Sequence, residues 1–159
     1  MDIKFDTDTF RFNVRSSCIV KDLKHKYVVL TNMKAIRSHE AFILPGGRIE
    51  IMESSDKAVA REIGEELGIK ANYKLVGIQE NYNIPINFHM VEFVYYAETD
   101  DILGRDFNPK DNWEKFKLIE IDKIDEYDIR PYPVKDLIKM ENYNNVYHSI
   151  NYDWANEIS

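Results

Sequence analysis

The sequence predicts a mixed α/β domain that spans residues 1–159. Short apolar or alternating segments typical of strands recur along the chain, and two well-separated segments carry helical signals. The length suits one domain with a substantial core, and 44% hydrophobic with 31% charged residues are ordinary values for a folded protein. No repeat, low-complexity tract or linker divides the chain.

The first third of the chain contains the predicted strands that precede the central helix. An apolar run at residues 12–20 ends at a charged turn, and residues 27–31 follow as a short buried strand. Residues 41–44 lead into Pro45, Gly46 and Gly47, a composition typical of a turn. Residues 48–51 are expected to form a short strand between that turn and the helix.

The central helix has a predicted start, a buried face and an end. Ser54 is a suitable N-cap, and Asp56 in the first turn complements the helix dipole. Gly68 lies where a helix commonly ends in the left-handed conformation. The inward face is an apolar stripe at four-residue spacing that comprises Val59, Ile63 and Leu67.

The second half of the chain predicts three further strands and one helix. The strands are residues 73–79, 90–97 and 116–121, the second with clear alternation. The helix is residues 133–140, with Pro133 suited to its first turn. The tail from residue 141 is rich in Asn and Tyr, and its pattern predicts no particular element.

Three glutamates crowd one face of the central helix. At about 100° per residue, Glu66 lies roughly 40° from Glu62, and Glu65 lies roughly 60° to its other side. Carboxylates this close repel one another unless something positive lies among them. Oxygen ligands suit magnesium and manganese, so the cluster predicts a divalent-metal site.

Residues 47–69 satisfy the pattern G-x5-E-x7-R-E-U-x-E-E-x-G-U without a gap, where U is a bulky aliphatic residue. The matching positions are Gly47, Glu53, Arg61, Glu62, Ile63, Glu65, Glu66, Gly68 and Ile69. This pattern is the signature of the Nudix hydrolases, so the chain resembles that family here. The lead-in at 44–47 and the Arg130-Pro131 pair before the last helix are also similar to family members. Met52 departs from the pattern of many members, which carry glycine there, and leaves the loop shape open.

The resemblance implies a Nudix fold, which is a mixed β-sheet sandwiched between helices. It also implies an enzyme that hydrolyses a nucleoside diphosphate linked to another group. It also implies Mg²⁺ or Mn²⁺ as cofactor. The implied metal ligands are Glu62, Glu65 and Glu66, helped by a backbone carbonyl at Gly46 or Gly47. Arg61 is expected to be mainly structural, pairing with Glu53 and with Glu65. The implied catalytic set therefore consists of the three glutamates together with Arg61 and Glu53.

The general base is left open by the sequence. Glu65 or Glu66 can hold metal and also accept a proton, and relatives also use a carboxylate outside the motif. Candidates by position are Glu92, Glu98, Asp111 and Glu114. Glu92 lies in a predicted strand, where it either faces inward with a metal or proton-transfer duty or faces solvent.

The residues that contact the nucleotide are also left open. Aromatic rings can stack on a base or fill the core, and the candidates are Tyr82, Phe88, Tyr95, Tyr96 and Trp113. Cations that can meet phosphate or only solvent are Arg15, Lys34 and Arg37. The histidines share no ligand spacing, which favours surface or structural roles for His25, His39, His89 and His148.

Composition and charge exclude several other classes. A net charge of −7 argues against binding a nucleic-acid polymer or an anionic membrane surface. Cys18 is the only cysteine, so no internal disulfide forms, and we expect it in a strand of the core. No signal peptide or membrane-span pattern is present, which predicts a cytoplasmic protein. Family analogy adds a homodimer as a further expectation.

Three functions are compatible with these features. The first is cleavage of a nucleoside diphosphate linked to a sugar or alcohol, which releases a nucleoside monophosphate. The second is removal of pyrophosphate from a damaged, for example oxidised, nucleoside triphosphate. The third is a binding module without catalysis, which the intact Glu62, Glu65 and Glu66 argue against.

Overall fold

The computed structural model describes residues 1–33, 40–105 and 116–152 of the chain. These residues form nine strands and two α-helices, with three short 3₁₀ segments between them. The strands are β1 (Lys4–Asp6), β2 (Arg11–Lys21), β3 (Tyr27–Asn32), β4 (Phe42–Ile43), β5 (Gly46–Arg48), β6 (Lys74–Asn83), β7 (Phe88–Glu98), β8 (Phe116–Glu120) and β9 (Tyr147–Asn151). The helices are α1 (Ser55–Leu67) and α2 (Pro133–Lys139).

The strands form one mixed sheet with the order β4-β3-β2-β7-β6-β9. β2 is the central strand, because β1, β5 and β3 pair with it on one side and β7 pairs with it on the other. The β2–β7 and β6–β9 pairs are parallel, whereas β6 and β7 are antiparallel. The sheet is therefore mixed, as predicted.

Each face of the sheet packs against one of the helices. Successive residues of β2 alternate between two cores: Cys18 and Val20 join the cluster that contains Val59 and Ile63 of α1. Ile19 joins the cluster that contains residues of α2. We call these sides of the sheet the α1 face and the α2 face. The predicted α/β class, with a mixed sheet between helices, is confirmed, and so is the core position of Cys18.

Helix α1 begins and ends where its sequence predicts. Ser54 is the N-cap in extended conformation, although its side chain makes no capping hydrogen bond. Gly68 ends the helix with φ of 65°, and its N–H donates to the Gly64 carbonyl at 3.0 Å. The predicted apolar stripe is buried, together with Ala58. The opposite side of α1 is therefore left to carry the glutamates.

The predicted turn at 45–47 and the predicted strand at 48–51 are wrong in position, because the strand begins two residues earlier, at Gly46. The strand is β5, and its two glycines pair with Ser17 and Ser16 of β2. A Cβ on Gly46 would lie 2.2 Å from the Ser16 carbonyl oxygen, so only glycine permits this approach. The glycines serve close strand packing rather than chain reversal.

The edges of the sheet also differ from the prediction. β1 and β9 were not predicted, and β6 continues past the predicted residue 79 to Asn83. β1 is fully exposed and β9 alternates between exposed and half-buried residues, so neither carries a strong apolar signal. Helix α2 ends at Lys139, one residue earlier than predicted.

Candidate active site

The first functional contact joins Glu62 of α1 to Gly47 of β5. A Cβ on Gly47 would lie 2.3 Å from the Glu62 carboxyl carbon and 2.4 Å from both of its oxygens. Any side chain at this position would therefore displace the carboxylate. The motif requires glycine here because the glutamate of the helix lies directly against the strand.

Arg61 connects three parts of the motif. Its Nε donates to Glu53 Oε2 at 2.8 Å and its Nη2 donates to Glu53 Oε1 at 2.9 Å. Its Nη1 donates to Glu62 Oε1 at 2.7 Å, and Nη2 also reaches the Arg48 carbonyl at 3.1 Å. The two parallel bonds to Glu53 are the fork geometry that a guanidinium provides and an ammonium does not. The arginine thereby fixes the helix to the preceding loop and to β5.

The charges in this network are held in place by hydrogen bonds. The Arg61 side chain is the main cause that lowers the pKa of Glu53 to about 2. In return, the hydrogen bond to Glu53 raises the pKa of Arg61 above its usual value. Both oxygens of Glu53 are engaged, since Oε1 also accepts from the Glu50 N–H at 3.1 Å. Glu53 is therefore a charged brace and a poor proton acceptor near neutral pH.

The two remaining glutamates of the motif occupy different environments. The Glu65 side chain is 64% exposed, and its Oε2 lies 3.7 Å from Arg61 Nη1. Glu66 is half-buried on the same helix. Within the described ranges, no three His, Cys, Asp or Glu side chains converge into a ready-made metal site.

The donors on α1 nevertheless suit a hard divalent cation. Carboxylate oxygens and the carbonyls of β5 are the ligand types that Mg²⁺ and Mn²⁺ prefer. Magnesium retains several waters and binds through few protein carboxylates, so it does not need a closed protein cage. The space that a Gly47 side chain would fill belongs to Glu62, which keeps one such carboxylate at the sheet.

Hydroxyl groups attach the start of α1 to the sheet, and no sequence pattern predicts these contacts. Ser16 Oγ of β2 donates to the Ser55 carbonyl at 2.8 Å. Ser55 Oγ lies 2.6 Å from the Tyr95 hydroxyl of β7. Lone serines and tyrosines are common everywhere, so no sequence signal identifies these contacts. They position the helix that bears the glutamates.

Glu92 is separated from the glutamates of α1. It shares the parity of Val94 along β7, so it lies on the α2 face, whereas α1 packs on the other face. It is 5% exposed, its Oε1 lies 3.5 Å from Arg15 Nε, and its Oε2 is 3.5 Å from Asn81 Nδ2. The solvent-facing alternative for Glu92 is therefore wrong. The cost of burying the Glu92 carboxylate is offset by the nearby Arg15 guanidinium. A role for Glu92 in proton transfer stays a prediction.

Several other predicted candidates lie outside the described residues. These are Lys34, Arg37, His39, Asp111, Trp113 and Glu114. Among the described histidines, two accompany exposed or half-buried glutamates: His25 lies 2.7 Å from Glu98, and His148 lies 2.7 Å from Glu80. The hydrogen bond from His25 lowers the pKa of Glu98. These pairs favour the predicted surface roles.

The aromatic candidates divide between core and surface. Tyr95 is 5% exposed in the core under α1. Tyr96 packs on the α2 face, and its hydroxyl donates a hydrogen bond to Glu98 Oε2 at 2.8 Å. Tyr82 stacks on His89 with ring centroids 4.3 Å apart. Phe88 lines a small pocket on the α2 face, and its contact with a nucleotide stays a prediction.

The comparison with protein families decides the classification of the chain. The model of the NUDIX domain matches residues 11–138, which include the whole motif, all of α1 and all but the last residue of α2. The chain belongs to the Nudix family. Hydrolases of this family use divalent metal ions and act on small nucleotide substrates, so the chain is a Nudix-type hydrolase of phosphoric anhydrides.

Relatives and solved structures agree with the Nudix assignment. An ADP-ribose pyrophosphatase from Methanocaldococcus jannaschii is 24% identical over 124 residues, which cover 76% of this chain and 72% of that protein. A MutT protein from Bacillus halodurans has a TM-score of 0.66 at 24% identity and covers 89% of this chain and 92% of its own. A MutT protein from Methanosarcina mazei has a TM-score of 0.61 at 17% identity, with 84% and 94% covered. At these identities the two structures establish the Nudix fold alone.

In the parts of the Nudix chain that the structure describes, neither helix has the length and apolar character needed to cross a bilayer.

Proposed function

We propose that this Nudix hydrolase cleaves the pyrophosphate bond of a nucleoside diphosphate linked to a sugar or an alcohol, with Mg²⁺ or Mn²⁺ as cofactor. The observation that carries the proposal is the complete motif, in which Glu62 lies against Gly47 and is held by Arg61. The similarity to a protein named ADP-ribose pyrophosphatase supports this substrate class over a nucleoside triphosphate.

In this proposal, Glu62, Glu65 and Glu66 hold the cation, together with a carbonyl of Gly46 or Gly47. When bound, the cation neutralises phosphate oxygens and lowers the pKa of the attacking water. Glu65 is exposed and can take part without losing a buried contact. A helix fixes the spacing of the three carboxylates more precisely than a loop would.

Arg61 and Glu53 act by positioning. Their bidentate contact anchors the guanidinium, so that the third donor, Nη1, holds one oxygen of Glu62 and leaves the other oxygen available. The strongly lowered pKa of Glu53 argues against its accepting a proton from water. Glu65 or Glu66 therefore receives that proton, and Glu92, on the other face of the sheet, is the weaker candidate.

The test uses Glu65→Gln and Glu66→Gln, which remove the charge and keep the size of each side chain. A matched control is Glu141→Gln, an exposed glutamate beyond α2. Each protein is assayed with Mg²⁺ and with Mn²⁺ on a panel of nucleoside diphosphate sugars and nucleoside triphosphates. Release of nucleoside monophosphate is scored against release of pyrophosphate.

We expect monophosphate release from diphosphate-linked substrates, and a loss of turnover of about 100-fold or more in the two variants but not in the control. Pyrophosphate release from triphosphates alone would favour the sanitising reaction instead. Wild-type rates in both variants would contradict the assigned mechanism. Metal binding without turnover on any substrate would indicate a binding module. The cytoplasmic location, the single-domain boundary and the homodimer stay predictions.

A further inference from the structure

Strand β1 pairs on one side only. On its inner side it pairs with β2 in antiparallel register, with Phe5 opposite Phe12. Among the described strands no other pairs with it, and Lys4, Phe5 and Asp6 are all exposed. An unpaired strand edge presents a row of main-chain donors and acceptors to which another strand can be added. We call the outer side of Lys4–Asp6 the β1 edge.

The alternation of an antiparallel ladder decides which main-chain groups lie on the β1 edge. The Thr7 N–H donates to the Phe10 carbonyl of the facing strand at 2.8 Å. Hydrogen-bonded and non-hydrogen-bonded pairs alternate along such a ladder, so Phe5, two residues before Thr7, also directs its N–H and carbonyl towards β2. The N–H and carbonyl groups of Lys4 and Asp6 therefore point outwards, to the β1 edge.

The two residues that face outwards have opposite charges. Within residues 1–33, 40–105 and 116–152, neither Lys4 nor Asp6 has an ion-pair partner, although Arg11 is the Cα partner of Asp6. Charged residues commonly protect an edge strand from pairing with other chains. A lysine and an aspartate two residues apart protect it against most strands, but not against a strand that presents the opposite charge at each position.

A second copy of β1 is such a strand, and only one register suits it. Since Lys4 and Asp6 direct their main-chain groups outwards, each has to lie opposite one of the same two residues in the second copy. Lys4 opposite Lys4, or Asp6 opposite Asp6, would place like charges together, which is destabilising. With Phe5 on a two-fold axis, Lys4 of each copy lies opposite Asp6 of the other. Main-chain hydrogen bonding and charge are then satisfied together.

A row of aromatic rings on the α1 face ends at the same strand. Phe12, His89 and Tyr82 are consecutive register partners on β2, β7 and β6, and their ring centroids are 5.1 Å and 4.3 Å apart. Phe5 is the next register partner in the row. Its ring is 58% exposed and lies 5.3 Å from the Phe10 ring, so the row has an apolar end at the β1 edge. In the register centred on Phe5, the same residue of the second copy lies directly opposite and continues the row.

We propose that the β1 edge is a docking surface for a second copy of this chain, which pairs with it in antiparallel register about Phe5. The contact is isologous, so it occupies the β1 edge of both copies and closes as a dimer. A strand of three residues buries little area, and small interfaces support weak or transient association. The dimer is independent of the proposed substrate, because no residue of the β1 edge belongs to the motif.

The test exchanges the charges of the β1 edge. Lys4→Glu leaves only acidic side chains at the two outward positions, and Asp6→Lys leaves only lysines, so each variant repels itself. A mixture of the two variants restores opposite charges at both contacts. The matched control is Lys70→Glu, which makes the same charge change at an exposed residue beyond α1. Sedimentation velocity from about 5 to 500 µM chain covers the range expected for a weak dimer and gives the Kd of each sample.

We expect wild type and Lys70→Glu to dimerise in this concentration range, and their dimers to weaken as salt rises. Each variant of the β1 edge should raise the Kd by about tenfold or more, and the equimolar mixture should recover the wild-type value. The double variant Lys4→Asp with Asp6→Lys should also dimerise as wild type does, because it keeps the complementary pattern in reverse order. It replaces the mixture if a single variant lacks the native far-UV circular dichroism spectrum.

Three results would overturn the proposal. The first is a wild-type chain that stays monomeric throughout, which would leave the β1 edge to a strand of another protein. The second is a pair of variants that dimerise as tightly as wild type, which would place the dimer contact elsewhere. The third is a mixture of folded variants, or a folded double variant, that stays monomeric.

Discussion

Arg61 shows how single residues of the motif divide positioning from chemistry. One guanidinium contacts the loop through Glu53, the edge strand through the Arg48 carbonyl and the helix through Glu62. A lysine offers one ammonium and cannot make these directional contacts at once. The arginine therefore sets where Glu62 stands without needing to touch the substrate.

Gly47→Ala tests the contact between the strand and Glu62. The added Cβ would lie within 2.4 Å of both carboxylate oxygens, so Glu62 has to move. A displacement of about 1 Å can cost about 100-fold in rate, and we expect a fall of that size in kcat/KM. Steady-state kinetics at saturating Mg²⁺ measure it.

The matched control is Gly64→Ala on α1, where the nearest outside atom to a new Cβ is the Ile69 carbonyl oxygen at 3.9 Å. This control should keep its activity and gain about 1 kcal/mol in unfolding free energy from helix propensity. If Gly47→Ala matches the wild-type rate, the packing of Glu62 on Gly47 has no role in catalysis.

Met52→Gly should stabilise the protein. Met52 has φ of 69° and is 98% exposed, so it pays for a left-handed backbone and gains little packing. Glycine removes that strain and costs chain entropy, for an expected net gain of about 0.5–1 kcal/mol in chemical denaturation. Met52→Ala retains the strain and should show no gain. Equal stability of the glycine and alanine variants would contradict this explanation of the loop.

At the scale of an element, β2 combines core packing with one buried cation. Lys21 at its end is 1% exposed, and its Nζ donates to the Met140 carbonyl at 2.8 Å. The Nζ also lies 5.6 Å and 5.4 Å from the ring centroids of Tyr96 and Tyr143. Burial is the main cause that lowers the pKa of Lys21 to about 8, while the charges of Glu141 and Glu98 act to raise it.

This buried lysine predicts a pH dependence of stability. Between about pH 8 and pH 10 the unfolded chain keeps the lysine proton and the native state has lost it, so stability rises with pH. We expect a contribution of roughly 2 kcal/mol over this window. Denaturant titrations of wild type and Lys21→Met, compared at each pH, measure it.

The comparison with Lys21→Met isolates the lysine from groups that act in the opposite direction. The buried Cys18 thiol has a raised pKa, and burial also raises the pKa of Tyr96 and Tyr143, which lowers stability at higher pH. These groups are present in both proteins. A difference between the two proteins that stays constant from pH 7 to pH 10 would show that Lys21 does not titrate as described.

Elements with a buried apolar face were predictable from the sequence, and elements without one were not. β2, β3 and β7 carry apolar runs or alternate apolar with polar residues. They do so because neighbouring strands flank them and a helix covers their buried residues. β9 lies at the sheet edge, and its strand pattern disappears among Asn and Tyr residues. β5 was mistaken for a turn because two glycines weaken a strand unless another backbone approaches closely.

At the scale of the whole molecule, two separate cores hold the sheet between its helices, and neither includes the glutamates of the motif. The charge of Glu62 is already compensated by Arg61 in the protein alone. We therefore expect the chain to fold without the metal. The glutamates of the candidate site could be predicted from the motif because they are adjacent on one helix, whereas the contact between Arg15 and Glu92 exists only after β2 and β7 pair.

Removal of divalent metal should separate activity from stability. Excess chelator is expected to abolish turnover, yet far-UV circular dichroism should be unchanged. When the Mg²⁺ concentration equals its dissociation constant, bound metal adds only about 0.4 kcal/mol to the free energy of unfolding. Removal of the metal from such a sample should therefore lower the melting temperature by less than about 4 °C. Restored Mg²⁺ should return full activity at once. Loss of the native spectrum in chelator would show instead that the metal is part of the folded structure.

The parallel pairing of β2 with β7 also has a consequence for synthesis of the chain. All eleven residues of β2 find partners on β7, but the helix that bears the motif is made between the two strands. At about 5–20 residues per second, several seconds pass between translation of Lys21 and of Phe88. During that interval β7 is not yet available, so α1 can pack only on the strands that precede it. The edge of β2 that later pairs with β7 stays exposed on the nascent chain. This part of the chain is where we expect nascent-chain chaperones to bind first.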